Sequence, residues 1–236
     1  MTSPTLSAPT LYARSDLKDD PKLVTQITDL VNEAFYRSKL PDPVKWRQAR
    51  GRRFPTNDLY FEMLGQEGLA VVIFDNDAAE KKAVAVAAAV PWEGGWQKEG
   101  AGVEHGWEFK AVAVDGSSKY LHRGLAVKMY KFLEQYLVSR TQEYGVSTNG
   151  RQLGKRDQLT LWILAAECIN GAYWKKRGYE LVRRGTYGPP TWGCQTSFEM
   201  VVLRKNVPLS AAGMDHPTEV AKSMEELSKR DMVKVN

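Results

Sequence analysis

The sequence has few of the residues that most often bind metals or form cross-links. Its 236 residues include two cysteines and three histidines. Cys168 and Cys194 form no metal-binding spacing, and two cysteines are too few for a disulfide framework. We therefore expect no metal site and a reducing, intracellular location, the cytoplasm.

Long apolar runs are also absent. No apolar stretch approaches the ~20 residues that a membrane-spanning helix needs. The first ten residues, MTSPTLSAPT, lack the basic patch and apolar core of a secretory signal. The sequence therefore predicts no membrane association.

The charge is weakly unbalanced. The 33 Lys and Arg residues exceed the 28 Asp and Glu residues, giving a formal net charge of +5. This excess suits an anionic cofactor or an acidic partner, but the basic clusters are short and do not by themselves predict nucleic-acid binding. A hydrophobic content of 43% in a chain of this length is enough for a domain with a real core.

Two apolar periodicities alternate along the chain. Helical spacing predicts helices, which cover residues 21–38, 57–64, 121–140 and 169–177. Short β-rich runs predict strands, which cover residues 10–14, 69–74, 83–91, 107–114, 158–165, 179–184 and 196–204. Only the strands that flank the long third helix need to run parallel, since a helical crossover joins them.

These elements predict one α/β domain. We expect a mixed, mostly antiparallel central sheet with helices on both faces. Residues 1–9 are predicted to be a flexible N-terminus, residues 10–205 the folded domain, and residues 206–236 a polar tail with a possible helix. The sequence leaves a monomer and a homodimer equally open.

The stretch KYLHRGLAVKMYKFL, residues 119–133, gives an amphipathic helix an unusual start. Arg123, Gly124 and Ala126 stand where the helix should begin, after an apolar strand and a polar loop. The first N–H groups of a helix have no partner within it and attract anions. Small residues there would let a phosphate approach the backbone. The alternative is that the turn is only a connection.

Two motifs resemble those of the GNAT superfamily of acyl-CoA-dependent N-acyltransferases. The first is (Gln/Arg)-x-x-Gly-x-(Gly/Ala), in which Gly124 and Ala126 fill the last two positions and Leu121 departs from the first. The second is NGAYWKKRGYELV, residues 170–182, similar to the family's closing helix–strand motif. The resemblance covers about residues 11–204 and implies the GNAT fold.

The resemblance implies a cofactor site. Acetyl-CoA, the co-substrate, would lie where two parallel strands splay apart, with its pantetheine arm along the strand that ends at Val114 and its pyrophosphate on the turn before the long helix. Asn170 would hydrogen-bond the cofactor or, alternatively, cap a helix. The residues implied are Val112, Ala113, Val114, His122, Arg123, Gly124, Leu125, Ala126 and Asn170.

The resemblance also implies an acid and a base. Strand alternation places Glu108 on the face of Val114, so Glu108 is the predicted general base, with His105 as the alternative. Glu108 could instead be a surface residue paired with Lys110. The family's acidic tyrosine is replaced by Trp174, which leaves the adjacent Tyr173 as the candidate general acid, or else as a packing residue.

The acceptor amine is not identified by the sequence. One basic stretch could face an acidic acceptor; its residues are Trp46, Arg47, Arg50, Arg52 and Arg53. Trp92, Trp96 and Trp107 could instead form a wall for an aryl or alkyl amine, and both groups could simply be loop residues.

Three functions remain open at this point. The first is an acetyl-CoA-dependent N-acetyltransferase. The second is an acyl-CoA-binding module without transfer activity, suggested by Leu121 and Trp174 at the two departures from the motifs. The third is a basic interaction protein.

Overall fold

The computed structural model describes residues 3–46, 52–144 and 158–209. Its helices are α1 (Arg14–Lys18), α2 (Pro21–Lys39), α3 (Asn57–Leu64), α4 (Leu125–Tyr144) and α5 (Ala172–Lys175). Its strands are β1 (Thr10–Ala13), β2 (Leu69–Asp75), β3 (Lys82–Pro91), β4 (Trp107–Val114), β5 (Gln158–Ala166), β6 (Glu180–Tyr187) and β7 (Phe198–Pro208). A π-helical turn, Glu167–Gly171, leads into α5, and a 3-10 turn, Thr191–Gly193, lies between β6 and β7.

The seven strands form one sheet in the order β1-β2-β3-β4-β5-β7-β6. Neighbouring strands are antiparallel except β4 and β5, which are parallel because α4 crosses over between them. The predicted mixed, mostly antiparallel sheet is therefore confirmed.

Helices cover both faces of the sheet, as predicted. On one face α4 buries Met129, Leu133 and Leu137 against the central strands. On the other face α1, α2 and α3 bury a second cluster, to which α2 contributes Ile27 and Val31. The two clusters take alternate residues of β2 and β3, as the pleat of a sheet buried on both sides requires.

The start of α2 follows the expected cap chemistry. Pro21 occupies the first turn, and the Asp20 side chain accepts a hydrogen bond of 2.9 Å from the Leu23 amide. This anchored start fixes the helix whose far end, at Lys39, reaches the functional site.

Several predicted boundaries were wrong. Residues before β1 are attached to the sheet, because Leu6 bridges Asp75 and the Ser7 amide donates to the Phe74 carbonyl at 2.9 Å. At the other end β7 continues to Pro208, beyond the predicted limit of residue 205. Residues 210–236 of the predicted tail lie outside the described residues.

No helix in the described ranges is both long and apolar enough to cross a membrane.

Asp75, the last residue of β2, fixes the loop that leads into α4. Its carboxylate accepts hydrogen bonds of 2.6 Å from both Lys119 Nζ and Tyr120 Oη. The Lys119 hydrogen bond, followed by that of Tyr120, lowers the pKa of Asp75 to about 2. A further ion pair of 2.8 Å, Lys82 to Asp115, ties the same loop to β3. The start of α4 is thus held to the sheet by charge.

Replacing Asp75 by asparagine should lower the midpoint of thermal unfolding at pH 7, because Lys119 loses its ionic partner. The depressed pKa of Asp75 adds stability above its unfolded value near ~3.9, and this stability disappears as the pH falls through the folded value. The difference between wild type and Asp75→Asn should therefore shrink between about pH 4 and pH 2. Circular dichroism melts across this range measure it.

The control is Glu80→Gln in the same β2–β3 turn. Glu80 is exposed and makes no ion pair with the described residues, so it should change the midpoint little at any pH. A pH-independent loss in Asp75→Asn would contradict the ionic role.

Candidate functional site

The parallel strands β4 and β5 separate almost as soon as they meet. They pair only through Trp107 with Leu161 and Glu108 with Trp162. Beyond these two pairs β4 continues to Val114, while β5 stays paired with β7 along its whole length. The strands therefore enclose a V-shaped gap, the β4–β5 cleft, whose edges carry backbone groups that no strand of the described sheet pairs.

Gly106 closes the narrow end of this cleft. Its φ of +128° favours glycine, and a Cβ at this position would overlap the carbonyl oxygen of Thr160 at the start of β5. The Gly106 carbonyl also accepts a hydrogen bond of 2.9 Å from the Trp92 amide. The approach of β4 to β5 thus depends on the missing side chain.

A β-bulge interrupts β4 beside the cleft. The register pairs Ala88 with Lys110 and Val86 with Ala113, so β4 has one residue more than β3 between these pairs. Ala111, inside the bulge, has a φ of +50°, which is a strained conformation for a residue with a side chain. The bulge takes the backbone of Ala111 and Val112 out of the regular ladder with β3.

The bulge corrects one sequence prediction. Strict alternation placed Glu108 and Val114 on the same face, but the extra residue reverses the pattern. Glu108 pairs with Val90 on the α2 face, whereas Val112 and Val114 pack on the α4 face. Glu108 therefore points to the side of the sheet opposite Val114.

Glu108 is a buried carboxylate, 5% exposed. Burial raises its pKa, and Lys110, followed by Arg53 and Lys98, opposes the rise. The ion pair with Lys110, 3.1 Å long, is the alternative role that the sequence left open. A buried carboxylate with a raised pKa is a stronger proton acceptor than an exposed one, and the ion pair does not prevent this role. His105, the other candidate base, is half-buried in the loop before β4, where its carbonyl accepts from the Trp162 indole at 2.9 Å.

The turn before α4 is exposed to solvent at Gly124. His122 and Gly124 have positive φ values of +60° and +71°, and α4 begins only at Leu125, later than predicted. The Lys128 amide donates to the Gly124 carbonyl at 2.9 Å, so the amides before Lys128 have no partner within the helix. A Cβ at Gly124 would meet nothing within 4 Å.

The side chains around this turn leave its backbone accessible. His122 and Arg123 are exposed, Ala126 is half-exposed, and Leu125 is buried in the core. The arrangement can therefore take up an anion on backbone amides, with Arg123 as the nearby positive charge.

Tyr173 and Trp174 belong to an aromatic cluster on the α4 face. Trp174 is 3% exposed and packs edge-on against Tyr130, Tyr173 and Tyr179. The Tyr173 Oη is buried without a hydrogen-bond partner among the described residues. Burial raises the pKa of Tyr173, and the Arg177 guanidinium, 3.2 Å from the ring centroid, opposes the rise. The phenol is therefore protonated at neutral pH.

Asn170 does not cap a helix. It lies inside the π-helical turn, which is preceded by Ala166, and no side-chain cap bond is present at either helix start. The alternative role that the sequence offered for Asn170 is thus wrong, while its role toward a cofactor stays a prediction.

The segment after α2 and the β6–β7 loop contact each other on the α2 face of the sheet, beyond Glu108. The Gln195 amide donates to the Lys45 carbonyl at 2.8 Å, and Lys45 Nζ donates to the Ser197 carbonyl at 3.1 Å. Trp46 packs on Phe198 with ring centroids 4.9 Å apart. The segment after α2 is therefore fastened to the β6–β7 loop.

The three tryptophans proposed as an acceptor wall do not lie together. Trp107 packs in the core on the α4 face, with Arg140 5.7 Å from its ring centroid. Trp92 is buried against Trp162, with ring centroids 4.7 Å apart. Trp96 alone of the three is exposed, at 44%. The predicted wall is thus wrong for Trp107, because β4 alternation turns it away from Glu108.

The basic residues that could face an acidic acceptor do not lie together either. Arg53 lies with its guanidinium 4.2 Å from the Phe35 ring centroid, near Glu108. Arg52 instead forms an exposed ion pair with Asp29. Arg47 and Arg50 lie outside the described residues.

Sequence reasoning missed two residues at this place. Lys39, at the end of α2, donates to the Trp192 carbonyl at 2.5 Å, and Trp192 packs edge-on against Trp96 with ring centroids 5.6 Å apart. A turn-rich stretch that contains a tryptophan, GPPTWG at residues 188–193, was the available signal for Trp192. Nothing in the sequence connected it with Lys39.

Comparison of the sequence with known proteins finds no matching family model and no matching curated protein. Comparison of the fold does find similar structures. The NatC complex bound to Gag peptide and CoA includes a chain that matches with a TM-score of 0.50 at 10% identity, over 85% of this chain and 99% of that one.

Two further structures show a weaker likeness. NAA60 of Arabidopsis thaliana, in complex with acetyl-CoA, matches with a TM-score of 0.49 at 13% identity, over 86% of this chain and 99% of that one. The ribosomal-protein-S18-alanine N-acetyltransferase of Escherichia coli matches with a TM-score of 0.48 at 13% identity, over 85% of this chain and 94% of that one. At these identities the likeness concerns the fold.

Mutation of Gly106 tests the close approach of β4 to β5 at the closed end of the cleft. Gly106→Ala should lower the free energy of unfolding by roughly 2–5 kcal/mol, because it adds overpacking against Thr160 to the strain of a positive φ. Gly102→Ala is the matched control, since Gly102 also has a positive φ, +76°, but has open space around it. That variant should lose only about 1–2 kcal/mol. Urea unfolding measures both, and equal losses would contradict the close approach.

Proposed function

The chain has the fold of the GNAT superfamily of N-acetyltransferases, and on this premise we propose that it transfers the acetyl group of acetyl-CoA to a primary amine. The observation that carries the proposal is the β4–β5 cleft. The buried carboxylate of Glu108 lies at its closed end, and the exposed turn before α4 follows the end of β4. An enzyme of this kind needs a place for an extended cofactor arm, an anion site for its phosphates and a base for the amine.

The cofactor would be held mainly by backbone groups. The edge of β4 after the bulge pairs with no strand on the cleft side, although Arg37 donates to the Val114 carbonyl at 2.6 Å, and it can pair with the amide groups of the pantetheine arm, as an added strand would. The turn from His122 to Ala126 would bind the pyrophosphate through its amides, with Arg123 adding charge. The open space at Gly124 fits this role.

The base would be Glu108. An amine is protonated at neutral pH, so a proton must leave before the nitrogen can attack the thioester carbonyl carbon. Glu108 lies at the closed end of the cleft, on the α2 face, and would accept this proton directly or through a water. As the new C–N bond forms, negative charge builds up on the carbonyl oxygen, and the amide of Val112 in the bulge is the donor proposed to stabilise it.

Tyr173 would complete the step as the acid. When the C–S bond breaks, the leaving thiolate takes the phenolic proton of Tyr173, which burial keeps on the oxygen at neutral pH. The nitrogen loses its second proton as the amide forms, and this proton replaces, through water, the one that Tyr173 gave to the thiolate. The first proton passes from Glu108 to solvent, so both groups return to their starting state.

An acyl-CoA-binding module without transfer activity is the second candidate. One observation favours it: Trp174, at the position of the family's acidic tyrosine, is buried as a packing residue. Calorimetry with acetyl-CoA tests binding, and thiol detection of free CoA over a panel of amines tests transfer. Binding without CoA release over the whole panel would favour the module, and absence of binding would refute both.

Gly124→Glu should abolish acetyl-CoA binding, because it places a carboxylate where the pyrophosphate is expected. The fold should survive with a loss of about 1–2 kcal/mol from the positive φ. Gly102→Glu, with a similar φ and similar open space, is the control and should bind normally. Titration calorimetry measures both affinities. Unchanged affinity in a folded Gly124→Glu variant would refute the phosphate turn.

Glu108→Gln should lower turnover by roughly a hundredfold at neutral pH, because it removes the base and keeps the shape. The loss should shrink as pH rises and more of the amine is already deprotonated. Acetyl-CoA affinity should barely change. Steady-state CoA release between pH 6 and pH 10 provides the test, and near-normal turnover at pH 7 would return Glu108 to a purely structural ion pair.

A second variant separates a base from a structural residue. Turnover should rise with pH through the raised pKa of Glu108, because only the deprotonated carboxylate can act. Lys110 lowers that pKa, so Lys110→Met should move the acid limb of the pH–rate profile to higher pH. A limb that stays in place would show that another group titrates, and His105→Ala would then be the next variant.

A further inference from the structure

Two cations lie near each other on the α2 face, and one of them, Arg53, lies near Glu108. Lys39 stands one helical turn after Phe35 on the same side of α2, and Arg53 packs over the Phe35 ring. Lys39 Nζ lies 5.2 Å from the Trp46 ring centroid. Burial and then repulsion by Arg53 lower the pKa of Lys39, which places the two charges within mutual reach. We call this pair the Lys39–Arg53 site.

The Lys39–Arg53 site has no anionic partner of its own in the part of the chain that the structure describes. Neither residue forms an ion pair there, although the surrounding cations do: Arg52 pairs with Asp29, and Lys98 pairs with Glu93 at 2.7 Å. The Lys39 ammonium donates to a neutral carbonyl, that of Trp192. Arg53 is exposed, but Lys39 is half-buried, and a partly buried cation is costly unless an anion balances it.

Glu108 does not balance these cations. Its carboxylate is in contact with Lys110, and Arg53 and Lys98 act on it at longer range. One carboxylate therefore faces Lys110, Arg53 and, through Arg53, Lys39. The surroundings of the proposed base carry a positive excess, which attracts an anion.

Aromatic side chains surround the Lys39–Arg53 site. Arg53 is exposed to solvent, and its guanidinium lies 4.2 Å from the Phe35 ring centroid and 5.5 Å from that of Phe54. Trp46 is buried beneath Lys39, whereas Trp192, whose carbonyl accepts from Lys39, is half-buried and offers the aromatic surface of the site. The hydrogen bonds between Lys45 and the β6–β7 loop fix the loop that carries Trp192.

We propose that the acceptor is a small amino acid, whose carboxylate binds between Lys39 and Arg53 while its amine faces Glu108 and its side chain packs on Trp192. This proposal rests on the proposed N-acetyltransferase function and names its substrate class. The charges then match: the carboxylate neutralises the two unpaired cations, and the amine lies beside the one carboxylate.

The direct test compares acceptors that differ only in the anion. L-phenylalanine and L-leucine are paired with phenylalaninol and leucinol, whose amines have similar basicity and whose carboxylates are replaced by neutral hydroxymethyl groups. The kcat/KM from CoA release should favour the amino acid in at least one pair by at least about tenfold, the effect of a charge-assisted hydrogen bond. Equal or better use of the amino alcohols in both pairs would overturn the proposal.

Substitutions test which residues cause the preference for the amino acid over the amino alcohol. Arg53→Gln and Lys39→Gln should each reduce the ratio of amino acid to amino alcohol several-fold, mainly through KM, and Arg53→Lys should keep part of it. Arg52→Gln, next in the chain but paired with Asp29, is the matched control and should keep the wild-type ratio. A ratio that Arg53→Gln and Lys39→Gln leave unchanged would overturn the site.

Binding separates this proposal from the transferase function. 3-Phenylpropionate and 4-methylpentanoate have the carboxylate and side chain of the two amino acids but no amine, and calorimetry in the presence of CoA measures their affinity. Binding of either that Arg53→Gln weakens, with no amine acetylated, would support the site and refute transfer. If amines are acetylated but the amino acids are not preferred and the two carboxylic acids do not bind, the Lys39–Arg53 site is refuted and the transferase function stands. If no amine is acetylated and neither acid binds, the site and the transferase function are both refuted.

Discussion

The separation of β4 from β5 is the constraint on which the rest of the site depends. Backbone N–H and C=O groups must find partners, and an unpaired strand edge inside a sheet is costly. The two strands nevertheless pair through only two residues each and then diverge. Gly106 sets where they meet, since it alone lets β4 approach the carbonyl of Thr160. A gap of this form leaves hydrogen-bonding groups facing each other across a space that an extended ligand can fill.

Among the described residues, two of the four non-glycine positions with a positive φ lie around this gap, and the other two are Lys98 and Trp192. Ala111 and His122 both adopt a positive φ without being glycine, one beside the cleft and one in the turn before α4. Each costs of order 1–3 kcal/mol and persists only where neighbouring contacts fix the chain. Ala111 is buried under α2, and the loop before His122 is fixed by the ion pair of Lys119 with Asp75. The surrounding packing and charge therefore hold the backbone in conformations that the local sequence would not select.

Much of the fold could be predicted from the sequence, and the reasons are local. The strands and long helices have strong periodicity, and the cap at Asp20 and the glycine at Gly124 mark helix starts. The bulge could not be predicted, because the residues around Ala111, KAVAV, alternate without interruption, and a bulge is a property of pairing with β3. That single inserted residue reversed the expected face of Val114 relative to Glu108. The contact between Lys39 and Trp192 was equally invisible, since it joins residues far apart in the chain through tertiary structure alone.

The electrostatics of Glu108 link the base to whatever occupies the cations beside it. Burial alone would push the pKa of this carboxyl upward, and Lys110 and Arg53 pull it down. An anion bound between Lys39 and Arg53 would offset the effect of Arg53, so the pKa of Glu108 would rise when such an acceptor binds. The acceptor's carboxylate raises the pKa of Glu108 by the same free energy with which protonation of Glu108 strengthens the binding of that carboxylate, because the two effects are linked; the acceptor's ammonium, until it loses its proton, acts in the opposite direction. An acceptor that carries its own anion would thereby make the carboxylate a stronger base at the moment when its amine must lose a proton.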